Sequence, residues 1–349
     1  MKKHLMSRLP FLWAALILVG PAVIAADKMP AEVAGEIGSP TGKISFIRDK
    51  NIWVMNATGQ RQMAVSETGN ADGRMSWSPD GKTIAVTRSG VLDLRGPDMM
   101  GGKHKVYDIF LVFVDSAENN NTLWWQRITS DLGSRDPEWS ADGETVLFYK
   151  DMHANDANSV SPNYQVCTMS PAGDDLTILR KDWQNMTDFF MAPTMNTAGD
   201  IAFVQFVQSK QGFRPQGIAR LNRASFMAPM KEVTKQSLEM SGLVAPCWSP
   251  DGKWLAYISS SINDPALYVS PPDLSERYIV FSPPPGTSLY TTAPSFSPNS
   301  KWLTFATTDG SIWISDIMGN GLKRLTGPGT DWAPAWSKAP VTTKSPTKE

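Results

Sequence analysis

The sequence predicts an all-β chain folded as a six-bladed β-propeller. Three features carry the prediction: a recurring phrase, four strand patterns around each copy, and two chain ends that complete one another. The phrase is an aromatic residue followed by Ser-Pro-Asp-Gly or a near copy. It reads Trp77-Ser78-Pro79-Asp80-Gly81, Trp139-Ser140-Ala141-Asp142-Gly143 and Trp248-Ser249-Pro250-Asp251-Gly252. Phe296-Ser297-Pro298-Asn299-Ser300 is a weaker copy, Met195-Asn196-Thr197-Ala198-Gly199 a more worn one, and a bare Trp336-Ser337 comes last. A spacing of about 40–60 residues marks a repeated supersecondary unit.

Taken in order, residues 1–25 read as an export signal. Lys2, Lys3 and Arg8 precede the apolar run Phe11 to Val19, Gly20-Pro21 breaks it, and Val23 and Ala25 suit cleavage before Ala26. The run is too short to favour a spanning helix, so no stable membrane insertion is expected after cleavage, and the location expected is periplasmic or secreted. Loss of Lys2, Lys3 and Arg8 takes 33 basic residues to 30 against 34 acidic ones, a net charge of −4. That balance argues against nucleic acid as a partner.

Residues 26–42 form an extension before the first strand, and the propeller is assigned to residues 43–338. Within a unit, Pro246-Cys247-Trp248 and Trp254-Leu255-Ala256-Tyr257-Ile258 are two strands joined by Ser249-Pro250-Asp251-Gly252. Pro presets φ, Asp bonds its own backbone, and Gly accepts positive φ, so the pair is a tight hairpin. Third strands follow at Ile52–Met55, Ile109–Val112, Ala266–Val269 and Ile312–Ser315. Fourth strands follow at Gln62–Val65, Gln126–Thr129, Arg277–Phe281 and Lys323–Thr326. The N-terminal unit lacks a first strand, and Ala333-Pro334-Ala335-Trp336 is a first strand with nothing after it. Pairing the two closes the ring and leaves no long open edge. Residues 339–349 read as a disordered polar tail. Cys167 and Cys247 fall in different blades and are expected to stay unpaired.

These residues resemble a known family. Ile312-Trp313-Ile314, Gly319 to Leu322, Arg324-Leu325-Thr326 and Ala333-Pro334-Ala335-Trp336-Ser337 are similar to the repeat of TolB-type six-bladed propellers, as are the phrases ending at Lys82 and Lys253. The resemblance spans residues 43–338 and implies a propeller of the cell envelope. TolB itself carries an α/β domain ahead of its propeller; here only residues 26–42 precede the first strand, so a stand-alone TolB-like propeller is expected.

In such a ring, blade-to-blade connections and second-to-third-strand loops share one face. Three of those loops, 89–106, 151–163 and 208–216, are enlarged and belong to consecutive blades. Enlarged loops on a rigid scaffold are where function usually sits, although plain insertions would look the same. Arg74, Asp136, Ala192, Ala245, Ala293 and Ala333 occupy one slot near the channel, whose four alanines predict an open mouth. Arg74 and Asp136 either meet a partner or form an ion pair. Phe189, Phe190, Met191, Tyr290, Asp331 and Trp332 stand just before that slot and suit recognition of a polypeptide, or else pack between blades.

Catalytic patterns are sparse. His104 and His153 lie in enlarged loops near Asp93, Asp98, Asp151 and Asp156, a set that could bind a divalent metal. Some propeller lyases acting on acidic sugars use a His-built metal site, so a metal-dependent carbohydrate lyase or hydrolase is the second reading. No Gly-x-Ser-x-Gly elbow or phosphate-cradling glycine loop occurs. The leading expectation is a non-enzymatic module without a cofactor that binds a protein or peptide of the cell envelope; a purely scaffolding repeat protein is the third.

Overall fold

A computed structural model describes residues 28–67, 69–93, 103–115, 117, 123–154, 162–179, 189–209, 212–221, 236–238, 242–261 and 265–338. The predicted export signal and the polar tail lie outside the described residues.

Strands β1 (Lys43–Arg48), β2 (Asn51–Asn56) and β3 (Met63–Ala64) begin the ring. Blade two is β4 (Ala71–Trp77), β5 (Thr83–Asp93), β6 (Lys103–Phe113) and β7 (Trp125–Arg127). Blade three is β8 (Ser134–Trp139), β9 (Val146–Asp151), β10 (Tyr164–Met169) and β11 (Thr177–Ile178). Blade four is β12 (Phe189–Met195), β13 (Ile201–Ser209), β14 (Gly212–Leu221) and β15 (Gln236–Leu238). Blade five is β16 (Leu243–Trp248), β17 (Leu255–Ser259), β18 (Ala266–Ser270) and β19 (Tyr278–Phe281). Blade six is β20 (Ser295–Phe296), β21 (Trp302–Thr307), β22 (Ser311–Asp316) and β23 (Lys323–Arg324). The last strand, β24 (Trp332–Trp336), returns to β1, giving six four-stranded antiparallel sheets.

The recurring phrase builds the first-to-second-strand turn as its residue types require. The Ser78 hydroxyl donates to Asp80 Oδ1 (2.6 Å) and accepts the Thr83 N–H (3.0 Å). Asp80 Oδ1 also accepts the Lys82 N–H at 3.1 Å, and Gly81 sits at φ 70°. Ser140 with Asp142, Ser249 with Asp251 and Ser297 with Asn299 repeat the arrangement. In the worn copy, Asn196 Oδ1 accepts the Ala198 and Asp200 N–H groups, which keeps the turn closed without the serine. Outside the turns, Ser66, Thr129 and Thr326 each accept a third-strand N–H, from Ile52, Ile109 and Ile312.

Closure is as the chain ends predict. Ile44 pairs with Trp336, Ser45 with Ala335 and Ile47 with Trp332. Arg48 clamps the joint, its Nε and second amino nitrogen each 2.7 Å from a carboxylate oxygen of Asp331. Its guanidinium also lies over Phe46 (5.0 Å) and Trp53 (4.8 Å). Wedges of apolar side chains fill the gaps between neighbouring blades; Trp77, Trp248 and Trp336 are fully buried. Both cysteines are buried and free, and burial pushes the Cys167 thiol up to about 12.

Within the extension, residues 28–42 form a strap: a short helix, α1 (Ala31–Ala34), and Met29 bury apolar side chains against blades five and six. The Trp302 indole donates to Gly38 O at 3.1 Å and the Trp336 indole to Thr41 O at 2.8 Å. Most of the segments read as loops at 89–106 and 208–216 is strand. Gly90 sits within the ladder opposite Val106, where its missing side chain accommodates the valine. The second hairpin pairs out to Ser209 and Gly212, with Pro215 beside a register shift where its absent N–H is tolerated. The third segment, 151–163, starts as a turn in which the Met152 N–H meets Asn163 O at 2.8 Å. The tips at 94–102, 155–161 and 210–211 lie outside the described residues.

Because closure buries Trp336 wholly, Trp336→Ala is expected to lower stability by about 3–5 kcal/mol in urea unfolding. A loss below ~1 kcal/mol, within the range of an ordinary surface substitution, would separate closure from this side chain.

Candidate functional site

The innermost strand of five blades carries a register shift where it passes the axis. Asp136, Ala192, Ala245 and Ala333 sit there at φ 49–58°, so the predicted slot is a bulge that turns the backbone toward the channel. Blade two inserts one more residue, and Gly73 takes the positive φ (79°) in place of Arg74. Glycine is needed twice over: a Cβ there would stand 2.6 Å from Asp136 Oδ1.

The structure does bring Arg74 and Asp136 together, but not as an ion pair between side chains. Asp136 Oδ1 accepts the Arg74 backbone N–H at 3.0 Å. The guanidinium of Arg74 instead crosses the axis, donating to the Glu138 carboxylate and to Pro193 O (2.9 Å). Glu138 is held further by the Thr194 hydroxyl (3.1 Å) and by Lys338 Nζ (3.4 Å). The expected open mouth is therefore plugged at this level, leaving a cavity of about 20 Å³ lined from five blades. Four alanines do clear the slot, but an arginine long enough to span the channel fills what they vacate.

Burial opposes both charges of this pair, yet each ion's field prevails. Arg74, supported by Glu138, is raised, and Glu138, facing Arg74 and Lys338, is held below its ordinary value of 4.5. The sequence reading missed Glu138, Thr194 and Lys338. A signal existed: the residue before each copy of the phrase is Ser76, Glu138, Thr194, Cys247, Ser295 and Ala335, and only one of them is charged.

The residues read as a rim divide. Phe190 is fully buried, edge-on to Phe203 at 5.2 Å, so it belongs to the wedge between blades three and four, not to the rim. Asp331 is 3% exposed and committed to Arg48, whose pKa its hydrogen bond raises. Met191 is half-buried, and the side chain of Phe189 lies outside the described residues. Tyr290 and Trp332 are brought together, half-buried, with ring centroids 6.1 Å apart.

The same face gathers a cluster that sequence reasoning did not find. Arg135 lies 3.6 Å from the Tyr107 ring centroid, and Tyr149 meets Tyr164 edge-on at 5.4 Å. Burial raises the Tyr149 hydroxyl well above its ordinary value. The four residues lie one each on β6, β8, β9 and β10, so only the packing of blade two against blade three reveals them as neighbours. His104 is exposed on β6 opposite Leu92, and His153 lies in the turn after β9, its N–H on Asp151 Oδ1 (3.0 Å). Among the described residues, no three His, Cys, Asp or Glu side chains converge in a metal-binding group.

Removing one partner of the axial pair strands the other. Arg74→Met is expected to cost about 3–5 kcal/mol in urea unfolding, most of it recovered in Arg74→Met with Glu138→Leu. Glu138 contributes stability that is present above its ordinary value of 4.5 and is lost as pH falls through its lower folded-state value. Stability of Glu138→Gln should accordingly fall less steeply on acidification than that of the parent; identical slopes would exclude the carboxylate from the acid response.

No protein-family model matches the chain. Among solved structures, TolB from Acinetobacter baumannii is similar at a TM-score of 0.60 and 19% identity, over 87% of this chain and 68% of that one. A putative TolB from Agrobacterium tumefaciens gives 0.56 and 14%, over 87% and 94%. A chain of a nidogen/laminin complex gives 0.56 and 9%, over 84% and 98%. No helix among the described residues is long and apolar enough to cross a membrane. Strand order, ring closure and these likenesses together make the chain a six-bladed β-propeller of the TolB-like fold.

Proposed function

We propose that this chain is an exported, non-enzymatic propeller that binds a protein or peptide of the cell envelope across its hairpin-bearing face. The observation that carries the proposal is the unequal length of the second and third strands. Those of blade two run 11 residues each and those of blade four 9 and 10, against 5 or 6 in the other blades. The extra length stands on one face and carries Val91, 66% exposed, and Leu92, 37% exposed. Apolar side chains on a rigid projecting hairpin supply contact area at little entropic cost.

Other features support the reading. Tyr290 and Trp332 offer half-buried aromatic surface on the same face. The pattern of residues 1–25 favours export to the periplasm or beyond. Two similar structures are TolB proteins, and a third belongs to a nidogen/laminin complex.

Capture from an envelope fraction tests the proposal, with Trp124→Glu as the control because Trp124 is exposed (61%) at the opposite end of blade two. Val91→Glu with Leu92→Glu should lower capture of any specific partner at least tenfold, Tyr290→Ala more modestly, and the control should leave it unchanged. Equal capture by all four proteins would refute the assignment.

A further inference from the structure

The outermost strands of the six blades are two to four residues long, too short to serve as templates for further pairing. Blade two departs from this pattern on its inner side. There β4 accompanies β5 only as far as Arg88, opposite Ala71, and the Ser89 N–H still meets Asn70 O at 2.9 Å. At that level the preceding chain turns away to blade one: the Ala71 N–H goes to Lys50 O and the Gly69 N–H to Asn51 Oδ1, both at 2.9 Å. Strand β5 runs on through Gly90 to Asp93 with β6 on one side. Among the described residues, nothing pairs with its other side.

The phase of the ladder fixes which backbone groups are open. The Val114 N–H meets Lys82 O at 2.8 Å, so every second residue from Lys82, Gly90 and Leu92 included, directs its N–H and C=O to β6. The residues between them point the other way, as the Ser89 N–H does. The N–H and C=O of Val91 and the N–H of Asp93 therefore face inward, on the β4 side. Native sheets guard such edges with charge, proline or a bulge. The outer edge of this hairpin carries Lys103 and Lys105, whereas Gly90, Val91 and Leu92 leave the inner edge unguarded, in a ladder without a register shift. Val91 and Leu92, 66% and 37% exposed, stand on opposite faces of the strand. We propose, resting on the protein-binding reading above, that an extended segment of the partner adds to this inner edge as a further strand. Its main chain bonds Val91 and Asp93 and prolongs the line of β4, and its side chains alternate between the Val91 and Leu92 faces. Recognition of this kind requires a free N–H opposite Val91, which an extended chain supplies and a lipid surface does not.

Amide resonances of the full chain labelled with ¹⁵N-valine test this, with Val91→Ala and Val106→Ile identifying two peaks. The probe is the strand-forming peptide acetyl-Lys-Thr-Val-Thr-Val-Thr-Lys-amide, compared with a counterpart N-methylated at two adjacent central residues, which blocks both of its edges. The expected result is a saturable shift and slower hydrogen exchange at Val91 with the first peptide and neither with the second. Val91→Pro removes the inward N–H but no bond to β6, and should weaken binding of the fluorescently labelled peptide at least tenfold. Val91→Ala keeps the N–H and should weaken it no more than about threefold. Slow exchange at Val106 shows that the hairpin of Val91→Pro is intact; if it is not, the two peptides on the unaltered protein decide. A Val91 peak that ignores the first peptide, an equal response to both peptides, or equal losses in Val91→Pro and Val91→Ala overturn the proposal. So does a Val91 peak that shifts with protein concentration alone, since the occupant is then a second copy. Envelope capture lost in Val91→Glu with Leu92→Glu beside an unresponsive Val91 amide sinks strand addition alone. Capture indifferent to that pair of substitutions beside a responsive amide sinks the wider reading instead.

Discussion

The antiparallel pairing of β24 with β1 joins Ser45 to Ala335 across 290 positions of sequence, and every other blade is positioned by it. A propeller blade cannot bury both of its faces alone; each needs a neighbour on either side. Without the terminal strand, β1 would present an open edge and the wedges flanking blade one would lose a wall. Three kinds of contact fix the joint at different depths. The ladder supplies backbone hydrogen bonds, Trp336 fills the wedge, and Arg48 with Asp331 ties the end of β1 to the residue before β24. The strap at residues 28–42 then covers the seam from outside, since its carbonyls take the indole protons of Trp302 and Trp336.

The ring imposes a second condition, at its axis. Six inner strands converge, and each must present something small there or fill the space between them. Bulges at Asp136, Ala192, Ala245 and Ala333 turn the backbone inward, and blade two spends an additional residue, Gly73, to aim Arg74 across the gap. A buried pair such as Arg74 with Glu138 gains little over an apolar plug of equal volume, but it locks blades two, three and four in one register. With Lys338 it also lines the small axial cavity.

Much of this was legible in the primary structure because a repeat states its rules several times over. Ser78, Ser140, Ser249 and Ser297 announce one turn, and the structure shows one turn built four times. Positions that break the repeat were harder to read. Phe190 looked like a rim aromatic because it precedes the slot, yet strand alternation directs it into the wedge against Phe203. Residues 89–106 looked like an enlarged loop although the ladder runs on to the pair Asp93–Lys103. Asp331 looked available because its partner, Arg48, lies at the far end of the chain.

The sequence by itself determined the architecture: six units, their internal strand order, the turn between first and second strands, and closure by the chain ends. Those are local or periodic properties, set by residue types at fixed short spacings. Only the tertiary structure decided which charge meets which, that Arg74 serves Glu138 while Asp136 serves a backbone N–H, and that Tyr107, Arg135, Tyr149 and Tyr164 form one cluster. The reason is geometric. Such contacts run between blades, and their partners depend on how far each bulge turns the backbone, a quantity that no spacing along the chain encodes.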